Sequence, residues 1–167
     1  MHITLLGPPG SGKGMIADRL ERAFHYTHIS AGAMLREEVA KGTRLGKDIR
    51  KYLENGKLVP DELVTDMVKL EARGKKHFVL DGFPRSLGQA KAITDLHLNN
   101  VILLDIAEKA VIQRFSGRRV CSQAGHGYHL KFLPPRKAGR CDIDGSKLVR
   151  RKDDRPSVIR DRFRIYR

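Results

Sequence analysis

Hydrophobic residues along this chain form short runs that alternate with stretches of helical periodicity. A short apolar run between turn residues predicts a buried strand, and apolar residues spaced three or four apart predict a helix. The predicted strands are 2–6, 26–30, 77–81 and 101–106, and predicted helices include 31–40, 45–54, 61–71, 87–96 and 109–116. This alternation predicts an α/β fold with a parallel sheet covered by helices on both faces.

Turn residues punctuate the predicted elements. The segment GPPG (7–10) ends the first strand, and a helix is expected to begin near Lys13. The residues expected on the inner face of this helix are Met15, Ile16, Leu20 and Ala23. Asn55 and Gly56 are expected to end the helix over 45–54, because an Asn-Gly pair is a typical stop signal.

Residues 120–149 break the alternation of strands and helices. The turn-forming residues of this segment are Gly125, Gly127, Pro134, Pro135, Gly139 and Gly145. Only short polar stretches separate them, so we expect an inserted lobe of small strands and turns.

The last residues of the chain carry an apolar stripe. Ile159, Phe163 and Tyr166 follow one another at i, i+4 and i+7, which predicts an apolar face on a final helix. Such a face needs a surface to pack against, and a sheet of four strands is small for this architecture. We therefore expect the chain to be incomplete at its C-terminus, with the last core strand missing.

The composition fits a single compact domain, or a core with an inserted lobe. The chain has 167 residues, of which 40% are apolar. No apolar run approaches the about 20 residues that a membrane-spanning helix needs, and the N-terminus lacks the basic segment and cleavage site of an export signal. Two cysteines do not make a disulfide framework. We therefore expect a cytoplasmic protein that does not bind membranes. We also expect it to be a monomer.

The charge of the chain is strongly positive. Thirty-three Lys and Arg residues against 19 Asp and Glu residues give a formal net charge of +14. Arginines concentrate in 114–119 and 150–167, and such clusters attract phosphates on small nucleotides or on nucleic acids. Aromatic residues do not alternate with these arginines as they do on a base-stacking surface. The pattern therefore favours small phosphorylated ligands over nucleic acid.

A phosphate-binding loop is predicted between the first strand and the helix after it. Gly7, Gly12 and Lys13 have the spacing of this motif. Glycines allow backbone N–H groups to turn toward an anion, and the helix dipole adds positive charge at the same point. Lys13 supplies a full charge for the terminal phosphates. Gly14 and Met15 occupy the positions where a hydroxyl residue usually follows the lysine.

Asp81 ends the third predicted strand. An aspartate after a strand is often only a turn or cap residue. Beside a phosphate-binding loop on a neighbouring strand, however, its carboxylate is well placed to hold the water shell of Mg²⁺. We expect this magnesium role for Asp81.

Several further motifs resemble those of adenylate kinase, a nucleoside monophosphate kinase. They are GPPGSGKG (7–14), HISAGAMLR (28–36), NGKLVPDELV (55–64), LDGFPRSLGQA (80–90), RFSGRRV (114–120), GYHLKFLPP (127–135) and RRKDD (150–154). The resemblance implies a three-layer phosphate-loop fold and reversible, Mg²⁺-dependent phosphoryl transfer, ATP + AMP ⇌ 2 ADP. It also implies a role in nucleotide biosynthesis, with ATP, AMP and ADP as the bound partners.

The resemblance implies three structural parts in the long-lid form of the family. A discontinuous core is expected over 1–29, 60–116 and 155–167. The inserted AMP-binding arm is expected over 30–59, and the small β-rich lid over 117–154.

The same resemblance implies roles for individual residues. Those implied to bind AMP are Ala31, Arg36, Lys57, Leu58, Val59, Gly82, Phe83, Pro84, Arg85, Gln89, Arg151 and Arg162. Those implied to bind ATP are Gly10, Ser11, Gly12, Lys13, Gly14, Met15, Arg114, Arg118, Gly127 and Tyr128. The catalytic set is Lys13, Arg85, Arg118, Arg151 and Arg162. Arginines suit this role because their planar forks bind phosphate oxygens in pairs and reduce the repulsion between two polyanionic substrates.

Three positions depart from the pattern of the family. Met15 and Ala31 stand where threonine is usual, and Ala33 stands where aspartate is usual. Each loss is expected to cost about 1–3 kcal/mol if a polar partner is left unpaired. Two alternatives to an active enzyme follow from the sequence: a nucleotide-binding relative with weak or no turnover, and a basic nucleic-acid-binding protein.

The two cysteines lie in the predicted lid. Many lids of the family bind structural zinc through two Cys-x2-Cys or Cys-x2-Asp pairs, and the matching positions here are Cys121, Ala124, Cys141 and Asp144. Ala124 cannot ligate a metal, and a structural zinc ion needs four ligands. His126 is close enough in sequence to replace the lost ligand. A zinc site and a metal-free lid with reduced cysteines are both expected alternatives.

Overall fold

The structure is a computed structural model that describes residues 1–55, 57–151 and 154–166. Four residues lie outside the described part: Gly56, Lys152, Asp153 and Arg167. The predicted helix stop at Gly56, the middle of the RRKDD motif and the last residue of the predicted core therefore lie outside the described residues.

A parallel sheet forms the centre of the fold. Its strands are β1 (His2–Leu6), β2 (Thr27–Ser30), β3 (Phe78–Asp81) and β4 (Asn100–Leu103), in the order β2-β3-β1-β4. Leu5 of β1 and Ser30 of β2 both pair with Asp81 of β3. The carboxyl ends of the three strands therefore meet at one edge, which is where ligands bind in open parallel sheets.

Helices connect these strands and follow the predicted pattern. They are α1 (Lys13–Phe24), α2 (Ala31–Lys41), α3 (Arg44–Glu54), α4 (Asp61–Ala72), α5 (Leu87–Ala92), α6 (Glu108–Gly117) and α7 (Pro156–Tyr166), with a short 3₁₀ helix over Thr94–Leu96. Side-chain oxygens cap three of the helices: Ser30 begins α2, Thr43 begins α3 and Ser86 begins α5.

A second, antiparallel sheet forms the predicted lobe. Its strands are β5 (Arg118–Cys121), β6 (Gly127–His129) and β7 (Leu148–Val149), in the order β6-β5-β7. The prediction of small strands and turns in this region is therefore confirmed.

Apolar side chains pack on both faces of the central sheet. Ile29 and Leu80 pack with residues of α3 and α4, including Ile49 and Val68. On the other face Leu5, Val79 and Ala17 form a smaller cluster with Ile16 and Leu20. These clusters hold β1, β2 and β3 in register, and so fix the strand ends that carry the site.

The inner face of α1 differs from the prediction. Ala17 is fully buried, whereas the predicted core residues Met15 and Ala23 are exposed, Met15 by 53%. Because α1 starts directly from the loop, its contact with the sheet runs through Ile16, Ala17 and Leu20. The first turn at Met15 instead projects beside the loop.

Two predicted elements are shorter than expected. The fourth strand ends at Leu103 rather than at residue 106, because Leu103 pairs with Leu6, the last residue of β1. The predicted helix over 87–96 is interrupted at Ile93, where α5 gives way to the 3₁₀ helix.

The edge strand β4 is uncovered. All four of its residues are exposed, including Val101 (63%) and Leu103 (61%). The prediction of helices over both faces is therefore wrong for this edge of the sheet, within the residues that the structure describes.

The final helix packs on α6. Ile159 and Phe163 are buried against Val111 and Phe115. Tyr166, the third residue of the predicted stripe, is exposed. The buried apolar face of α7 is thus about one turn shorter than the sequence predicts.

Within the described ranges, every helix is too short or too polar to cross a membrane.

Candidate active site

The loop between β1 and α1 has the backbone that an anion site requires. Gly7, Gly10 and Gly12 have φ angles of 143°, 78° and 105°, which side-chain-bearing residues rarely adopt. A Cβ atom on Gly10 would also lie 2.8 Å from Cε2 of Phe115. Glycine is therefore required at position 10 both for its conformation and for close packing against α6.

Lys13 turns its ammonium group back into this loop. Its Nζ donates to the carbonyl oxygens of Gly7 (2.8 Å) and Pro8 (2.9 Å). Burial lowers the pKa of Lys13 to about 8; the charge of Asp81 opposes this shift, and the charges of Arg85 and Arg118 add to it. A phosphate beside Nζ would relieve the cationic repulsion that lowers this pKa.

Asp81 lies directly beside the start of α1. A Cβ atom on Gly14 would be 3.3 Å from its Oδ2. Burial disfavours the ionised form, but the hydrogen bond and charge of His28 and the charge of Lys13 outweigh it and hold the pKa of Asp81 below its usual value. The site therefore contains an ionised carboxylate at the entrance to the loop.

His28 joins Asp81 to α1. Its Nδ1 is 3.0 Å from Oδ1 of Asp18, and its Nε2 is 3.4 Å from Oδ2 of Asp81. Burial disfavours protonation, but the hydrogen bonds to Asp18 and Asp81 outweigh it and raise the pKa of His28 to about 9. Histidine is therefore a charged donor at both ring nitrogens near neutral pH.

The sequence prediction overlooked His28. A signal for it exists: His28 and Ser30 lie two residues apart on β2 and so share a face of the strand. Ser30 pairs with Asp81 in the register of the sheet. The available indication was therefore a titratable side chain, His28, in a predicted strand. It lies on the same face of that strand as Ser30, the residue that pairs with Asp81.

Arg85 and Lys13 approach each other across Gly82. A Cβ atom on Gly82 would be 3.1 Å from Nη2 of Arg85 and 3.5 Å from Cε of Lys13. Although part of Arg85 is open to solvent, burial of its guanidinium lowers its pKa, and the charge of Arg162 adds to the effect. The predicted residues Lys13, Arg85 and Arg162 therefore form one cationic group, in which Lys13 and Arg85 lie near Asp81 and Arg162 lies near Arg85.

Gln89 is engaged within the protein. Its side chain is 2% exposed; Nε2 donates to Oδ1 of Asp61 (2.8 Å), and Oε1 accepts from the backbone N–H of Arg85 (2.6 Å). Ser86 also donates to Asp61. Gln89 and Asp61, the latter not singled out in the sequence, thus hold the backbone that presents Arg85.

The predicted AMP-binding residues of the arm lie in two places. Arg36 lies over Gly32, since a Cβ there would be 3.2 Å from its Nη1. Lys57 and Val59 line a groove of about 510 Å³ next to α3, whose lining does not include Arg36, Arg85 or Gln89. This groove is therefore distinct from the cationic group.

The predicted AMP-binding residues also differ in burial: Ala31, Val59, Gly82 and Phe83 are buried, and Leu58 and Pro84 are half-buried. Ala33, one of the positions that depart from the family pattern, is exposed at the first turn of α2.

Arg118 begins the lid strand β5 and is held by a buried acid. Its Nε donates to Oδ2 of Asp154 (2.8 Å) and its Nη2 contacts Oδ1. The guanidinium lies 4.4 Å from the ring centroid of Phe115, and Asp154 is fully buried. Asp154 belongs to the RRKDD motif, but the sequence prediction gave it no role of its own.

Arg114 contacts the phosphate loop from α6. Its Nη1 donates to the carbonyl oxygen of Ser11 (2.8 Å). Tyr128 faces the interior of the lid: its hydroxyl accepts from the N–H of Asp142 (2.7 Å) and lies 3.4 Å from Sγ of Cys141. Gly127 is exposed and Arg151 is half-buried. The structure therefore places Arg114 at the loop, and Gly127 and Tyr128 in the lid sheet.

Four potential metal ligands converge in the lid. Ligand atoms of Cys121, His126, Cys141 and Asp144 all lie within 4.8 Å of one another. Sγ of Cys121 is 3.0 Å from Oδ2 of Asp144, and Nδ1 of His126 is 3.3 Å from Sγ of Cys141. The hydrogen bond from Cys121 is the main cause that holds the pKa of Asp144 well below its usual range. His126 thus occupies the place expected for the missing ligand at Ala124.

Comparison with known proteins assigns the family. The family model described as Adenylate kinase matches residues 5–167. The chain is 43% identical to an adenylate kinase of Thermosipho africanus (99% of this chain, 82% of that protein) and 42% identical to one of Archaeoglobus fulgidus (100% and 81%). It is 41% identical to an adenylate kinase of Pyrococcus furiosus (99% and 79%). With the phosphate loop, the cationic group and the lid all inside the matched region, the chain belongs to the adenylate kinase family.

Proposed function

We propose that this chain catalyses the reversible, Mg²⁺-dependent reaction ATP + AMP ⇌ 2 ADP and so serves nucleotide biosynthesis. The observation that carries the proposal is the cationic group of Lys13, Arg85 and Arg162, in which Lys13 and Arg85 lie beside Asp81 at the glycine loop. Phosphoryl transfer requires alignment of the substrates and neutralisation of charge more than acid–base chemistry. This group supplies both.

The loop and Lys13 would bind the phosphates of ATP. The backbone N–H groups at the start of α1 face the anion, and Nζ of Lys13 exchanges the carbonyl oxygens of Gly7 and Pro8 for phosphate oxygens. Arg114 would stabilise the loop, since it already donates to Ser11. Met15 would contribute no hydroxyl, which leaves this binding to the backbone and Lys13.

Arg85 and Arg36 would bind the phosphate of AMP. The carbonyl of Gly82 and the packing of Gln89 orient Arg85 toward the loop. Gln89 would reach the adenine of AMP by exchanging its contact with Asp61. Arg118, Arg151 and Arg162 would close on the transferred phosphoryl group.

Asp81 fits the expected magnesium ion. An ionised, largely buried carboxylate beside the phosphate loop offers the hard oxygen that Mg²⁺ prefers. When bound with ATP, the ion neutralises phosphate charge. Asp81 would hold its water shell, and Ala33 offers no second carboxylate.

We propose the same division of the chain that the sequence implies. The core comprises 1–29, 60–116 and 155–167, the AMP-binding arm 30–59, and the lid 117–154. Closure of the arm and lid would exclude water and prevent hydrolysis of ATP. The protein is proposed to act as a cytoplasmic monomer.

The lid is proposed to bind structural zinc. Two thiols, one imidazole and one carboxylate make the four ligands that such an ion needs, and their atoms already converge. We expect about one zinc per chain in protein purified without a histidine tag, loss of the metal in Cys141→Ser, and a lower melting temperature after chelation. Less than a tenth of an equivalent of zinc would favour a metal-free lid with reduced cysteines.

A coupled assay for ADP tests the proposed activity. Lys13→Met is expected to lower kcat/KM by about 100-fold or more, because it removes a charge from the phosphate site. Lys47→Met, which removes an exposed charge from α3, is the matched control and should retain activity.

Two other outcomes separate the alternatives. Tight binding of a bisubstrate dinucleotide without ADP formation would identify a nucleotide-binding protein without turnover. Binding to RNA or DNA that falls steeply with salt and that ATP does not displace would identify a nucleic-acid-binding protein.

A further inference from the structure

We propose that His28 is a positioning residue that orients Asp81 toward hydrated magnesium, in a chain of contacts from Asp18 through His28 to Asp81. This inference rests on the proposed function and assigns a role to a residue outside the predicted site. It concerns hydrogen bonding among residues of α1, β2 and β3.

The imidazole of His28 is held at both nitrogens. Nδ1 contacts Oδ1 of Asp18 at 3.0 Å, and Nε2 contacts Oδ2 of Asp81 at 3.4 Å. The His28 and Asp81 side chains are only 15% and 16% exposed, so the contact at Asp81 is shielded from solvent. Asp18 fixes the plane of the ring, and the ring then fixes Oδ2 of Asp81.

Ser30 reinforces the same oxygen. Its hydroxyl donates to Oδ2 of Asp81 at 3.4 Å, from the position directly beside Asp81 in the sheet. A carboxylate restrained at one oxygen presents the other in a fixed direction. Residues that hold a metal-binding carboxylate in this way commonly matter almost as much to metal affinity as the carboxylate itself.

Asp18 connects this chain of contacts to the helix that carries the phosphate loop. Asp18 lies on α1, the helix that begins at Lys13 and carries the phosphate loop. Asp81 is thereby tied to the same helix that would bind the phosphates. With Ala33 in place of a second carboxylate, correct orientation of Asp81 becomes the main protein contribution to the hydrated ion.

The test measures nucleotide binding rather than turnover. Calorimetry of the full chain gives the Kd for ATP with saturating Mg²⁺ and the Kd for ATP with EDTA, and their ratio reports the contribution of the metal. In His28→Phe we expect the Kd for ATP with Mg²⁺ to rise by about 10-fold relative to the Kd for ATP in EDTA. The Kd in EDTA itself should stay within about twofold of that of the unmodified chain. In His28→Gln the amide can still donate to Asp81, so the ratio should change less than in His28→Phe. The ratio in Asp18→Asn should likewise change less than in His28→Phe.

Glu21→Gln is the matched control. It removes one negative charge from α1 within 4.8 Å of the ligand atoms of Asp18 and His28, but within the described ranges its side chain makes no hydrogen bond to Asp81. Its magnesium ratio should equal that of the unmodified chain. An equal change in Glu21→Gln would overturn the proposal in favour of a general charge effect.

A lower melting temperature in both His28 variants with an unchanged magnesium ratio would also overturn it, because His28 would then be only a structural tie. If His28→Phe does not fold, the ratio in His28→Gln and Asp18→Asn decides. Failure of the proposed function is seen separately, as absence of ADP formation by the unmodified chain, and the binding ratio can be measured in either case.

Discussion

At the scale of single residues, the site places groups of opposite charge close together with little access to water. Lys13 and Arg85 have lowered pKa values because burial opposes their charge. His28 has a raised pKa because two carboxylates hold it. The cationic residues therefore favour an anion at the site, whereas His28 is already satisfied by protein partners.

The raised pKa of His28 predicts how stability varies with pH. Its pKa is about 9 in the folded chain against an ordinary value of 6.5. The folded state thus binds more protons between these values, and the stabilisation present below pH 6.5 is lost as pH rises through 9. The loss should be about 3 kcal/mol.

Urea unfolding of the ligand-free chain at a series of pH values measures this effect. His28→Gln is the reference, because its side-chain amide does not titrate in this range. The difference between the two chains should shrink as pH rises from 6.5 to 9. A difference that is independent of pH would show that His28 is neutral in the folded protein.

Residue chemistry was predicted from sequence wherever a motif carried it. Lys13, Asp81, Arg85 and Arg162 were all expected in the site, and the structure brings them together. Their individual roles stay predictions. His28, Asp61 and Asp154 were not assigned roles, because each acts through a partner that is distant in sequence and close only after folding.

At the scale of elements, α6 joins the phosphate loop to the lid. Phe115 packs against Gly10, lies under Arg118 and contacts the apolar face of α7. Gly117 ends the helix, and its carbonyl accepts from the N–H of Leu130 in the lid. The helix therefore connects the phosphate loop directly to the antiparallel sheet of β5, β6 and β7.

Gly117 itself has little room. A Cβ at this position would run into the imidazole ring of His129 on β6. Gly117→Ala is expected to destabilise the chain by about 1–3 kcal/mol, the usual cost of overpacking. Since the φ of Gly117 is not in the left-handed region, the cost comes from contact with the ring and not from backbone strain.

A double-mutant cycle tests this assignment. Gly117→Ala should cost much less in a His129→Ala background, where the ring is absent, than in the unmodified chain. Free energies from urea unfolding give the coupling between the two positions. Additive costs would mean that Gly117 is required for another reason.

Most elements were predicted within one or two residues, because their apolar periodicity is strong. The errors occur where contacts with neighbouring elements determine where a strand or helix ends. β4 ends where β1 ends, and α5 ends before Ile93, a residue buried in the core that precedes the 3₁₀ helix. Met15 was expected in the core, but the helix contacts the sheet one residue further along.

At the scale of the whole molecule, positive charge and an open sheet edge dominate the surface. The net charge is +14, and Val101, Ile102 and Leu103 of β4 are exposed by 63%, 41% and 61%. An exposed apolar edge strand is prone to pair with other chains.

This edge predicts a change in solubility. Val101→Lys should raise the concentration at which the chain begins to aggregate, with less than about 0.5 kcal/mol effect on unfolding because the residue is already exposed. Leu70→Lys is the matched control, since Leu70 is 73% exposed but lies on a helix. Light scattering over a concentration series compares them, and equal improvement in both variants would point to charge alone.

The sequence by itself determined the family, the α/β class and the glycine loop, because these depend on local periodicity and on motifs with fixed spacing. It also singled out Cys121, His126, Cys141 and Asp144 as candidate metal ligands. Only the tertiary structure decided the contacts of His28 with Asp18 and Asp81, the pairing of Arg118 with Asp154 and the exposure of β4. Those features depend on which strands are adjacent in the sheet and on how far each side chain is exposed to water. Neither is set by residues that are neighbours along the chain.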